Sequence, residues 1–248
     1  MKDIGLINGN QWHPFSYFGY KHSFFSIDAD TVINTWMVLL VILILALTAR
    51  IMLTRKSGIG RYLVISYVRN FIDLCNQSLG FFSFNHIAFI IALFTFIIVS
   101  NCIAIIPGIE EPTKELNTTL ALGIIAFLYV QSYAIKEHSF FGYLKEYFVP
   151  FFVMFPLHVI GKLSSIVSIS FRLFGNIFGG ATIVHIYTSV LQTSWLVELF
   201  GLLSGLNLLI VAFFILFEGF LQAFVFTMLT ITYLAIALTH DEDIGDMT

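Results

Sequence analysis

A single arginine, Arg172, lies in the middle of residues 164–180, which read SSIVSISFRLFGNIFGG. The apolar sequence around it extends from Tyr147 to Val197 and contains one other charged residue, Lys162. An arginine at the centre of a membrane helix is unfavourable by roughly 2.5 to 3.5 kcal/mol on insertion scales, so it usually faces protein or a water-filled cavity. Residues 164–180 therefore predict a membrane-embedded helix with a functional arginine.

The whole chain has the composition of a polytopic membrane protein. Of its 248 residues, 58% are hydrophobic and 11% are charged, and the mean hydropathy is +0.91. Long uncharged runs in such a chain predict an all-α integral membrane protein with one continuous membrane domain. The net charge of -3 gives no indication of nucleic-acid binding. Cys75 and Cys102 lack the spacing of a metal site, and we expect no metal or cofactor.

Several apolar stretches with few charged residues are long enough to cross a hydrocarbon core of about 30 Å. The predicted spans are about 32–53, 86–107, 116–136, 150–193 and 195–239. The last two are about twice as long as a perpendicular crossing requires, so we expect them to be tilted and paired as a hairpin. Residues 62–79 mix apolar and polar side chains at helical spacing and predict an interfacial helix.

The two ends of the chain are assigned to opposite sides of the membrane. The first span is followed by a basic cluster, Arg50, Arg55, Lys56, Arg61 and Arg69. The positive-inside rule places this cluster in the cytoplasm, with the N-terminal segment 1–31 outside and the C-terminus inside after five crossings. The N-terminal segment is rich in aromatic residues, which favours a position at the headgroup level.

One face of the helix that contains Arg172 is small and polar. On an ideal helix Ser165, Ser168, Asn176 and Gly179 fall within about 40° of the arginine. Small residues allow another helix to approach closely. This face is interpreted either as a packing surface within the chain or as a contact surface for a partner helix that carries a carboxylate to Arg172.

Ionisable and amide side chains lie in the outer halves of the last two spans. Because these helices are antiparallel, the outer half contains His185, Asn207 and Glu218, while Ser165 and Ser168 lie in the inner half. Chains of acidic and histidine side chains form proton relays in membranes, so these positions predict an ion path. Two alternatives stay open: His185 as a core histidine, and Glu218 as a carboxylate that is paired with Arg172 or held neutral.

Three segments resemble one family, subunit a of the F-type ATP synthase membrane sector. They are FRLFGNI with its flanking serines and glycine pair at 164–180, LQAFVFTMLT at 221–230, and IPG at 106–108 followed by LNTT at 116–119. The resemblance implies two offset proton half-channels separated by Arg172, with Gln222 beside it. Its partners would be a ring of subunit c, whose carboxylates Arg172 deprotonates, and the peripheral-stalk subunit b.

That resemblance implies a non-catalytic subunit that couples proton translocation to rotation of the ring and ATP synthesis, most plausibly in a bacterial plasma membrane rather than an organellar one. The chain departs from the family at two positions. Ala181 and Ile215 stand where the family often has an ionisable pair. His185 and Glu218 are displaced from these positions in opposite directions, by roughly 10 Å in total along the helices, so we expect a water-bridged path between them.

Other classes of membrane protein have weaker support. The sequence lacks the zinc, nucleophile-elbow and phosphate-loop motifs of membrane enzymes. A stand-alone secondary transporter would often show an internal repeat. A haem-binding electron carrier would need paired histidines, and His86, His158 and His185 show no repeated spacing.

Overall fold

The computed structural model describes residues 11–12, 27–55, 57–106, 109–138, 142–143, 151, 153–191 and 212–239. The helices in these residues are α1 (Ala29–Thr54), α2 (Ile59–Leu79), α3 (Phe84–Cys102), α4 (Leu116–His138), α5 (Met154–Leu191) and α6 (Gly219–Thr239). A π-helical turn, Ala212–Glu218, leads directly into α6. All but α2 are parts of helices long and apolar enough to cross a membrane, which confirms the predicted all-α membrane fold class with five spans.

The N-terminal segment contains a short β-ladder, and parts of the chain lie outside the described residues. A two-residue antiparallel ladder joins β1 (Gln11–Trp12) to β2 (Ile27–Asp28) just before α1. The rest of the predicted headgroup segment is not among the described residues. Neither is the turn between the last two spans, so the hairpin stays a prediction.

Helix α2 lies between the first two spans in the sequence and is not continuous with either of them. Gly80 ends α2 in the left-handed conformation, with φ 75°, and its N–H donates to the carbonyl of Asn76 at 3.0 Å. Phe71, Cys75 and Leu79 follow one another at four-residue intervals and are buried. Their spacing makes one apolar face, which packs against the spanning helices α1, α3 and α6.

The span predicted at about 86–107 contains most of α3 and a change of helix type near its end. The α-helix ends at Cys102 and continues as a 3-10 turn, Ile103–Ile105. Ile106 is then extended, with φ -85° and ψ 115°. A proline disfavours the helical conformation in the residue before it, and Pro107 follows Ile106. The proline therefore explains the extended conformation of Ile106, the residue just before it.

The core lies where α3, α4 and α6 meet, with α2 against it. Fully buried side chains there include Ile97, Phe226 and Leu234. Helix α5 packs mainly against α4 and is 38 residues long, about 57 Å, so it is longer than one perpendicular crossing, as predicted. Along α1 only Val38 is buried, so its apolar surface is available to lipid or to a partner.

Candidate functional site

Arg172 lies at an exposed position on α5. Among the described residues the one ion pair is Lys114–Glu110, so Arg172 and Glu218 are not paired there. The neighbouring residue Leu173 is fully buried, which fixes the helix face that turns inward. Arg172 itself is exposed, at the edge of the face of α5 that packs within the chain.

The small residues around Arg172 lie on this open face. Ser168 and Gly175 are exposed. A Cβ atom added at Gly175 or Gly179 would meet nothing within 4 Å in the described structure. Among the described residues, nothing therefore fills the space immediately beside these two glycines.

The tight contact between α4 and α5 uses a different serine. A Cβ atom added at Gly123 would overlap with the Oγ atom of Ser170, which is fully buried. Ser170 precedes Arg172 by two positions, so it lies about 160° away around the helix. The contact with α4 thus uses a face of α5 that is about 160° from Arg172.

An amide pair joins α5 to α6 one turn beyond the arginine. The Nδ2 atom of Asn176 donates to Oε1 of Gln222 at 2.7 Å. Gln222 is buried and Asn176 is half-buried. This bond sets how α5 and α6 cross at the level of the predicted ion path.

Glu218 lies at the point where the π-helical turn changes into α6, and it is half-buried. The carbonyl of the next residue, Gly219, accepts a hydrogen bond from Nδ2 of Asn101 at 3.1 Å. Oδ1 of Asn101 in turn accepts a hydrogen bond from Oγ1 of Thr113 at 3.0 Å. Single π-turns are frequent at functional sites, and here the turn is held by a buried network that reaches α3 and the α3–α4 loop.

The hydrogen bond between Asn101 and Gly219 leaves little space for a side chain at position 219. A Cβ atom added at Gly219 would lie 3.1 Å from Cβ of Asn101, which is tighter than an ordinary van der Waals contact. The sequence analysis did not select Asn101 or Thr113. The one amide in the uncharged residues 87–105 was the signal that pointed to a buried partner.

The other predicted site residues lie apart from this centre. Ser168 shares the open face of Arg172, whereas the Oγ atom of the half-buried Ser165 donates to the carbonyl of Lys162 at 2.7 Å. His185 lies at an exposed position about 20 Å along α5 from Arg172. Asn207 is outside the described residues. The structure thus brings Asn176, Gln222 and the end of the π-turn together, while His185 and Ser165 lie elsewhere.

Replacing Asn101 by alanine is expected to lower the stability of the folded chain by about 1–3 kcal/mol. The change leaves the Gly219 carbonyl and the Thr113 hydroxyl buried without their present partner, and an unsatisfied buried group has that cost. The midpoint of denaturation of the purified chain measures the effect. Asn117→Ala, at an exposed position in the first turn of α4, is the matched control and should change the midpoint little. Equal midpoints for the two variants would contradict a structural role of the network.

Glu111, in the loop between α3 and α4, predicts a dependence of stability on pH. Burial raises the pKa of this carboxyl to about 7 from 4.5, while Lys114 lowers it and Glu110 raises it further. Because the folded-state pKa lies above the unfolded one, this contribution to stability is fully present below about pH 4.5 and is lost as the pH rises through 7.

The corresponding variant is Glu111→Gln, which should remove this part of the decline between pH 5 and pH 8. The difference from the unmodified chain should reach at most about 3 kcal/mol at the alkaline end. Thermal unfolding at several pH values measures it. Asp73→Asn, at an exposed position on α2, is the control that should preserve the decline. A parallel pH profile for Glu111→Gln would show that Glu111 is not the group responsible.

Comparison with known proteins gives a consistent family. A family model described as ATP synthase A chain matches residues 32–235. The chain is 35% identical over 210 residues to ATP synthase subunit a of Moorella thermoacetica, covering 83% of this chain and 89% of that protein. It is 33% identical over 229 residues to ATP synthase subunit a 2 of a Picosynechococcus strain, covering 90% and 91% respectively.

Proposed function

The chain belongs to the family of ATP synthase subunit a, and we propose that it is the ion-translocating stator subunit of a rotary F-type ATP synthase. Its spanning helices make it a multi-pass membrane protein. The observation that supports the mechanism is the position of Arg172, exposed on the face of α5 opposite the one that packs on α4. A positive charge that is exposed in this way is suited to pairing with an acidic group on another chain.

The partner that we propose for this face is a ring of subunit c that carries one carboxylate on each moving helix. The open space at Gly175 and Gly179 allows such a helix to pass close to α5. A neutral carboxyl arriving from lipid would meet the fixed guanidinium and release its proton. Subunit b of the peripheral stalk would hold the chain still while the ring turns.

The outer half-channel is proposed to end at Glu218, Asn176 and Gln222. The amide pair and the half-buried carboxyl lie within one turn of each other along α6. The predicted residues His185 and Asn207 would extend this route toward the outer surface. Acidic and histidine side chains of this kind carry protons through membrane proteins, and amides can hold them and water in place by hydrogen bonds.

The inner half-channel is proposed to follow the exposed serines beside Arg172. Ser164 and Ser168 are exposed on α5 and would face the ring. Two hydroxyl residues in the inner half of α6, Thr227 and Thr230, are buried instead, and Thr230 donates to the carbonyl of Phe226 at 2.9 Å. The open face of α5 therefore suits an aqueous route better than the interior beside α6.

The positive charge of Arg172 would separate the two routes and force the ion to travel on the ring. We place the chain in a bacterial plasma membrane, and we place its N-terminus outside because Arg50, Arg55 and Arg61 lie near the junction of α1 and α2. Membership in the family favours this role over a stand-alone transporter or a haem carrier. His86, one of the possible haem ligands, is buried, and its Nδ1 atom lies 3.0 Å from the Tyr129 hydroxyl.

Reconstituted vesicles test the proposed function. We expect ATP-driven ion uptake by vesicles that contain the complete complex, and no uptake when this chain alone is omitted, although ATP is still hydrolysed. Uptake in the absence of sodium would identify the proton as the coupling ion, and strict sodium dependence would identify Na⁺. Equal uptake with and without the chain would overturn the proposal.

A further inference from the structure

A cavity of about 280 Å³ lies between α4, α5 and α6. It lies toward the end of the bundle where α4 and α6 finish and α5 begins, which the charge distribution assigns to the cytoplasmic side. Its walls are mainly apolar and include Val130, Ile166, Ile169 and Ile236. The cavity does not include Arg172 or the amide pair that the proposed ion path uses.

Polar groups of the cavity wall form one cluster around Lys162. Its Nζ atom donates to the hydroxyl of Tyr143 at 3.1 Å and lies 4.7 Å from the centre of the tyrosine ring. The Tyr143 hydroxyl also donates to Oε1 of Gln131. A half-buried ammonium is thus held in place at an otherwise apolar cavity.

His158, Ser165, Thr230 and Tyr233 also line the cavity, and two of their hydroxyls bond to their own helices. Oγ of Ser165 donates to the carbonyl of Lys162 at 2.7 Å, and Oγ1 of Thr230 donates to that of Phe226 at 2.9 Å. Their protons are thus used within their own helices. Water enters a cavity when it finds several polar partners there, whereas an apolar cavity stays dry or takes up an apolar ligand.

We propose that this cavity binds one acyl chain of an anionic phospholipid from the inner leaflet, with the lipid phosphate held by Lys162. The apolar walls suit a hydrocarbon chain, and the ammonium supplies the complementary charge for the headgroup. Basic pockets between membrane helices on the cytoplasmic side bind anionic lipids in this way. A lipid bound there would hold α5 against α4 and α6 on the cytoplasmic side of Arg172.

Photo-crosslinking of the complete complex in vesicles tests this site. The probe is phosphatidylglycerol with a photoreactive group in its acyl chain, in vesicles of phosphatidylcholine. We expect labels on peptides from α4, α5 and α6 that line the cavity, and competition by unlabelled phosphatidylglycerol but not by added phosphatidylcholine. Equal labelling by a phosphatidylcholine probe, or labels that map elsewhere, would overturn the proposal.

Two variants separate the headgroup from the chain. Lys162→Gln should reduce labelling by about fivefold, because one lysine near a membrane surface attracts anionic lipid by about that factor. Gly161→Leu should reduce it further, since Gly161 lines the cavity and a Cβ atom there meets nothing within 4 Å, so the added side chain occupies the space of the lipid chain. Lys162→Arg should restore labelling if charge is the cause.

Lys136→Gln is the matched control, since Lys136 is exposed near the same end of α4 and is not part of the cavity wall. Its labelling should equal that of the unmodified chain. Labelling is expressed per assembled complex, so a variant that assembles poorly still gives a value. Unchanged labelling in both Lys162→Gln and Gly161→Leu would contradict the proposed site.

Discussion

Replacing Arg172 by alanine or lysine is expected to abolish coupled ion transport while the complex still assembles. At 4 Å and an effective dielectric constant near 20, a guanidinium stabilises a carboxylate by roughly 4 kcal/mol. That energy lowers the pKa of the carboxyl by about three units, enough to make an arriving acid release its proton. Alanine removes the interaction, and lysine replaces a permanently charged planar group with one that can lose its proton when dehydrated.

ATP-driven and gradient-driven transport in vesicles measure this effect. Assembly should be preserved, because the side chain of Arg172 has no ion pair with another described residue. Arg69→Ala is the matched control, since Arg69 is exposed on α2, outside the proposed ion path, and its loss should leave pumping near normal. Normal pumping by either Arg172 variant would refute the proposed mechanism.

Replacing Glu218 by glutamine is expected to slow ion transport by about a hundredfold and to change its dependence on pH. A positioned acid or base contributes typically 10²–10⁴-fold to a proton-transfer step, and glutamine keeps the shape of the side chain without the ionisable carboxyl group. The π-turn should persist, because Asn101 binds the backbone carbonyl of Gly219 and not the carboxyl group.

Pumping rates between pH 5.5 and pH 9 provide the measurement for Glu218→Gln. The control is Glu137→Gln. Glu137 is exposed near the C-terminal end of α4, and this variant should reproduce the rate and pH profile of the unmodified chain. If neither the rate nor the pH profile changes in Glu218→Gln, the carboxyl has a structural role only, and the outer route must use other groups.

The spans were predictable because lipid leaves the backbone few choices. Each crossing must satisfy its own hydrogen bonds, so long uncharged runs become helices. The open face of α5 was also accessible from the sequence, since helical periodicity groups Ser168 with Arg172. Which serine contacts α4 required the structure, which shows that it is Ser170, about 160° from Arg172 around the helix.

The interior partners could not be predicted in the same way. Asn101 and Gly219 are 118 positions apart, and no local pattern relates them. The π-turn before α6 lies within an apolar run. Because nearly all residues there are apolar, hydrophobic periodicity does not indicate a change of helix type. The cavity beside Lys162 likewise depends on how three helices meet, although the lysine itself was visible as an isolated charge.

The position of the Arg172 guanidinium in the assembled complex tests the central claim most directly. A density map of the chain with its ring should place this group within about 4–6 Å of a carboxylate on a ring helix, near the middle of the bilayer. A guanidinium among lipid headgroups, or bonded to its own chain with no ring helix beside it, would contradict the account.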